Sequence, residues 1–141
     1  MQPYEYAMQY LNVPFLHMGR ARSGIDCVGL LVKVAEHLGM DPIDSPYYGR
    51  EPARNNNSFQ LDYYLEANLG PPVKRELRVN DVVLMKLRKR FPPSHVGIIA
   101  PHPEGLGLIH TYGEIERVAF HILDDHRKEL IVGAYEWPEK S

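Results

Sequence analysis

The chain has 141 residues and a single cysteine, which gives enough length for one domain with its own core and leaves no internal disulfide or paired-cysteine metal site to build on. Sixteen Lys and Arg against 18 Asp and Glu give a formal charge of −2, which argues against a generic polyanion binder and sets nucleic acid aside as a partner. Hydrophobic residues make up 44% of the chain, a globular share, so its 12 prolines punctuate loops rather than signal disorder.

The start, "MQPYEYAMQYLNVPF", lacks a basic region followed by an apolar run and reads as carrying no export signal; no segment approaches the roughly 18 apolar residues of a membrane span. Tyr4, Ala7, Met8 and Leu11 fall at i, i+3, i+4 and i+7, which predicts a short amphipathic helix that tolerates Pro3 in its first turn and ends at Pro14. From Ile25 onward Leu30, Leu31, Val34, Ala35 and Leu38 trace a buried helix face, with Asp26 as N-cap and Gly39 as the C-terminal stop. The Pro-, Asn- and Asp-rich stretch "MDPIDSPYYGREPARNNNS" reads as a surface connection. Ser58 is placed to cap a third helix carrying Leu61, Tyr64, Leu65 and Leu69, closed by Gly70 and Pro71.

Short apolar segments then recur: "DVVLMKL", "HVGIIA", "GLIHTY", "RVAFHIL" and "IVGAYEW". Their β-branched and aromatic content, broken by Pro, Gly and charge, predicts a meandering antiparallel sheet. Helices first and strands after imply an α+β domain spanning residues 1–141.

Cys27 opens the second helix. There the unpaired backbone N–H groups and the positive end of the helix dipole favour a thiolate, the form in which cysteine is a nucleophile; as a lone cysteine it is equally the kind of small hydrophobe that cores bury. Gly29, inside the same helix, costs helical stability and so points to close packing or access. A cysteine nucleophile needs an imidazole base, and the base needs a partner to hold its tautomer. Seven histidines are available. If residues 101–104 form a hairpin loop, Ala100 faces Gly105 and His95 faces His110 on the same side of the sheet, which suits a base and its orienting group.

The other histidines offer less. His17 could line the same cleft, His37 suits a helix C-terminus, His102 reads as a loop tip, and His121 and His126 need no role beyond solvation or ordinary hydrogen bonds. Lys86, Arg88, Lys89 and Arg90 read as a solvated turn rather than a binding patch. Zinc on Cys27, His95 and His110 would match no familiar ligand spacing, so neither a metal nor another cofactor is expected.

Taken together, "VPFLHMG", "GIDCVGL", "VNDVVLM", "SHVGIIA" and "LIHTY" occur in the order seen in the NlpC-type papain-like cysteine peptidases of bacterial cell-wall peptides, and the chain resembles that family from about Leu11 to Tyr112. The resemblance implies a papain-like fold with N-terminal helices packed on a meandering antiparallel sheet. It assigns Cys27 as nucleophile, His95 as general base and later acid, and His110 as the residue that orients His95, with His17, Asp26 and Val28 in the substrate or oxyanion region. It implies a peptidoglycan stem peptide as substrate, at the bond between the γ-carboxyl of D-glutamate and a diamino acid. The form "VPFLHMGRARSGIDCVGLL" is similar to the small peptidases of bacteriophage and gene-transfer-agent tail modules, which implies a virion or particle tail as the location, tail or baseplate proteins as partners, and no membrane insertion. In this chain Phe15 stands where the family has a tyrosine whose hydroxyl helps to polarise the substrate, His17 where it has a tryptophan, and Asn80 where it has a glycine. The resemblance therefore also leaves open a tail subunit that keeps the fold without the chemistry.

Overall fold

The computed structural model describes residues 1–44, 60–90 and 92–138. The helices come first: α1 (Pro3–Met8), then a two-stranded ribbon of β1 (Arg20–Ala21) and β2 (Gly24–Ile25), then α2 (Cys27–His37) and α3 (Leu61–Leu69). After them come β3 (Val82–Met85), β4 (His95–His102), β5 (Gly105–His110), β6 (Ala119–Ile122), the short α4 (Asp125–Glu129) and β7 (Ile131–Tyr135). The five longer strands form one antiparallel sheet in the order β6-β5-β4-β3-β7. The expected meander thus runs from β3 to β6, and β7 returns to close the sheet beside β3.

Each sheet face carries apolar residues because strand side chains alternate. Val82, Leu84, Val96, Ile98 and Ile109 face a core shared with α1, α2 and α3. Val83, Met85, Ile99 and Leu108 face a second, smaller cluster completed by Leu123 and Ala134.

The helix ends follow from local chemistry. Asp26 caps α2 as expected, accepting from Gly29 N–H at 2.8 Å, and Gly39, at φ 80°, leaves the helix in the left-handed region. α1 stops earlier than expected: the turn is made at Asn12, at φ 71°, ahead of Pro14. Ser58, expected as the cap of α3, lies outside the described residues, and the helix starts after Gln60. Among the described residues no helix is long and apolar enough to cross a membrane.

Asn80, in place of a glycine, sits at φ 82°, a conformation that asparagine tolerates better than most residues. Its side chain is put to use there, Oδ1 accepting from Tyr4 N–H at 3.0 Å and Nδ2 donating to Gln2 at 2.9 Å, while its backbone carbonyl accepts from the Trp137 indole at 2.8 Å. One residue therefore ties α1 and the C-terminal segment to the start of β3.

Candidate active site

Cys27 lies at the first turn of α2, and the cap beneath it is held unusually firmly. The Asp26 carboxylate accepts from Gly29 N–H at 2.8 Å, from Met18 N–H at 2.9 Å and from Arg20 at 2.9 Å, while Arg20 also reaches Asp44 at 3.2 Å. This buried carboxylate fastens the loop before β1 to the start of α2. Asp26 also lines the cavity, with its oxygens engaged by the fold. Gly29 is the point of closest approach, since a Cβ there would collide with the Gly19 carbonyl oxygen.

The thiol itself is 6% exposed and faces a cavity of about 580 Å³ whose walls include Phe15, Arg88, His95, Tyr112 and Glu114. Burial first, and the Asp26 charge second, push the Cys27 thiol up to about 12; the backbone N–H groups of Val96 and Val28 pull the other way. The thiolate expected from the helix dipole is therefore not the resting form. Desolvation outweighs the dipole because the charged sulfur would have to leave water beside a carboxylate.

His95 opens β4, is 1% exposed and lines the same cavity. Burial lowers it to about 4, so it rests as a neutral imidazole able to accept a proton. The hairpin turn is two residues, Pro103 and Glu104, with His102 opposite Gly105; the register therefore differs by two positions from the expected one, and His110 pairs with Gly97. A shift of two keeps both histidines on one face, where a shift of one would have separated them. The rings meet diagonally, His95 Nε2 to His110 Nδ1 at 2.8 Å. Gly97 makes room for this, because a Cβ there would press on Leu108 and on His110 Cβ at 3.2 Å.

The imidazole contacts continue past His110. His110 Nε2 lies 2.9 Å from His121 Nδ1 on β6, and Tyr112 packs edge-on against His95 with ring centroids 5.1 Å apart. Tyr112 also lines the cavity, as does Phe15, which is held by Phe15 N–H donating to the Glu116 carbonyl at 2.8 Å and by a bridge to Ile25. Of the remaining expected residues, Val28 is fully buried with its N–H toward the thiol, and His17 is not among the cavity's lining residues. Lys89 and Arg90 are exposed, in keeping with a solvated turn, whereas Arg88 reaches the cavity wall and meets Glu114 at 3.5 Å. His37 stacks on Tyr6, and His102 accepts from Glu104 N–H. Among the described residues no group of three or more His, Cys, Asp or Glu could hold a metal ion.

Solved structures match this fold over nearly the whole chain. They include an NlpC/P60 family protein from Bacillus cereus ATCC 10987 (TM-score 0.68, 14% identity, 96% of this chain and 39% of that one). The NlpC/p60 domain of the peptidoglycan hydrolase SagA also matches, with a TM-score of 0.57, 15% identity and 95% of each chain. The chain has the NlpC/P60 fold. A third NlpC/P60 protein, described as similar to lipoprotein, from Staphylococcus aureus subsp. aureus Mu50, gives a TM-score of 0.65 at 14% identity over 98% of this chain and 41% of that one. The chain thus spans about two fifths of the length of the Bacillus and Staphylococcus proteins and nearly all of the SagA domain. No family model matches the sequence, and no curated protein matches it. The fold is thus shared while sequence identity is only 14–15%.

The buried imidazoles make a prediction about stability. His95 and His110 are both held below the ordinary histidine value, burial being the largest cause for each, so the unfolded chain binds protons that the folded one does not. Stability is then full above about pH 6.5 and falls as pH drops below it, by about 1.4 kcal/mol per pH unit for each group left neutral in the fold. Urea denaturation between pH 7 and 4.5 should show this slope, and His110→Gln should make it shallower by about one group. An unchanged slope in that variant would show that His110 titrates normally in the folded protein.

Proposed function

We propose that this protein is a cysteine endopeptidase that hydrolyses peptidoglycan stem peptides at the bond between the γ-carboxyl of D-glutamate and a diamino acid. We further propose that it works from the tail tip or baseplate of a phage-like particle, among other tail or baseplate proteins. The reaction class is carried by one observation: Cys27 and His95 line the same cavity, and His95 Nε2 is 2.8 Å from His110 Nδ1, which leaves Nδ1 of His95 for the thiol. The substrate is supported by the fold shared with the peptidoglycan hydrolase SagA domain, and the bond and the tail location by the sequence resemblance around Cys27.

The resting pair is thiol and neutral imidazole. As Sγ attacks the amide carbonyl, its proton passes to His95 Nδ1, so charge develops only with bond formation. The Val28 N–H, which lies toward the thiol at the start of α2, is available to stabilise the developing oxyanion. His95 then protonates the leaving amine, giving a thioester. Water attacks the thioester, His95 takes a proton from it, and the acid and the free thiol are released. Arg88 and Glu114 add a charge of each sign to the cavity wall, which Asp26 also lines, suited to a peptide that carries both carboxylates and amines.

The test is digestion of purified peptidoglycan by the protein and by Cys27→Ala, with mass spectrometry of the released fragments. Release by the wild-type protein alone establishes the peptidase and names its bond. The missing Phe15 hydroxyl favours a second reading, a tail subunit that keeps the fold without turnover, and release by neither protein would select it. An added amine appearing in the product would instead show acyl transfer, in which the amine replaces water at the thioester.

A further inference from the structure

His95, His110 and His121 lie on one diagonal of one sheet face. Gly97 pairs with His110, two positions from His95, and Leu108 pairs with His121, two positions from His110. Each strand crossing therefore steps two residues along β5, and an imidazole spans each step, at 2.8 Å and then 2.9 Å. In such a chain the proton positions are not independent. Each ring has one N–H and one lone pair when neutral, so the direction of the first hydrogen bond sets the direction of the next.

Two polarities satisfy both contacts. In one, His95 Nε2–H donates to His110 Nδ1 and His110 Nε2–H donates to His121 Nδ1, which leaves a lone pair on His95 Nδ1. In the other, His121 Nδ1–H donates to His110 and His110 Nδ1–H donates to His95; His95 Nδ1 then carries hydrogen and cannot take the thiol proton. The last ring selects between them. We propose that His121 is a positioning residue whose Nδ1 accepts from His110 and thereby holds His95 in the tautomer that serves as base. The proposal rests on the peptidase reading for its kinetic part, while its tautomer part stands on the geometry alone.

The surroundings permit the accepting form, because only a charged His121 would present N–H at both ring nitrogens. Burial, Arg127 at α4 and Arg117 before β6 disfavour a charged His121, with Asp124 as the opposing carboxylate, so the ring stays neutral and keeps one lone pair. His121 is partly exposed on the edge strand, where substitution leaves the buried cores intact.

The experiment compares wild type, His121→Leu and His121→Asn. Leucine removes the acceptor; asparagine places a carbonyl oxygen where Nδ1 was. Histidine ¹⁵N chemical shifts at pH 7 report the tautomers directly, and steady-state kinetics on a stem-peptide substrate report their consequence. In wild type His95 should be protonated at Nε2; His121→Leu should lose that uniform state and lower kcat about 10- to 100-fold with KM little changed, by analogy with other groups that orient a catalytic imidazole. His121→Asn should restore both. Unchanged His95 and His110 shifts in His121→Leu would overturn the proposal, as would a wild-type His95 protonated at Nδ1. If the wild-type protein proves inactive on peptidoglycan, the peptidase reading fails and the shifts still decide the proposal.

Discussion

Replacing His95 with glutamine should reduce kcat on a stem-peptide substrate by about 10³-fold or more, with KM changed far less. Glutamine retains polar atoms that can meet His110, so the fold survives while the base is lost. The size of the effect follows from the resting state of the site. With burial raising the thiol and lowering the imidazole, proton transfer ahead of attack is disfavoured, and Cys27 depends on the acceptor at residue 95 to become a nucleophile at neutral pH. Cys27→Ala should be as inactive as His95→Gln, and the double variant no worse than either, because the two act as a unit. Measured kcat values for the four proteins check this. A His95→Gln protein with more than a tenth of wild-type turnover would remove His95 from the mechanism.

Asp26→Ala should cost about 3 kcal/mol of folding stability, read from urea denaturation. The carboxylate is 3% exposed and accepts from two backbone N–H groups and from Arg20, so truncation removes the α2 cap and leaves the guanidinium without that partner. Part of the charge on Arg20 remains answered by Asp44, which keeps the cost at the lower end of the range for a broken buried pair. Asp26→Asn, which keeps a capping oxygen, should lose about 1 kcal/mol. Both variants should also bring the Cys27 thiol pKa down, since the Asp26 charge is the second cause of its elevation; thiol alkylation rates across pH read this independently of stability. A loss under 1 kcal/mol in Asp26→Ala would mean that the loop before β1 does not depend on this carboxylate.

Much of this arrangement was legible from local sequence chemistry. The α2 pattern, the Asp26 cap and the Gly39 exit are set by residues within a turn of one another, and they appear in the structure as read. The strands were visible because β-branched runs bounded by Pro and Gly have few other uses. The hairpin register was not, since a four-residue and a two-residue turn at "PHPEG" differ only in which backbone groups pair. His95 and His110 stayed on one face because the difference was an even number of residues. His121 is illegible for a related reason: its place beside His110 depends on the register of a second hairpin, with Leu108 opposite His121, that nothing within "RVAFHIL" specifies.

The sequence by itself determined the element types and the α+β order, because these rest on periodicity, capping and short-range sterics. Only the tertiary structure decided the protonation of the site and the length of its relay. A thiol at a helix N-terminus reads as activated when its surroundings are unknown; once the same thiol is closed off from water beside Asp26, desolvation outweighs the dipole. Likewise a histidine on an edge strand is one polar side chain among many until strand pairing brings its Nδ1 within 2.9 Å of another imidazole. Burial and cross-strand register are properties of contacts between distant residues, and those contacts exist only in the folded chain.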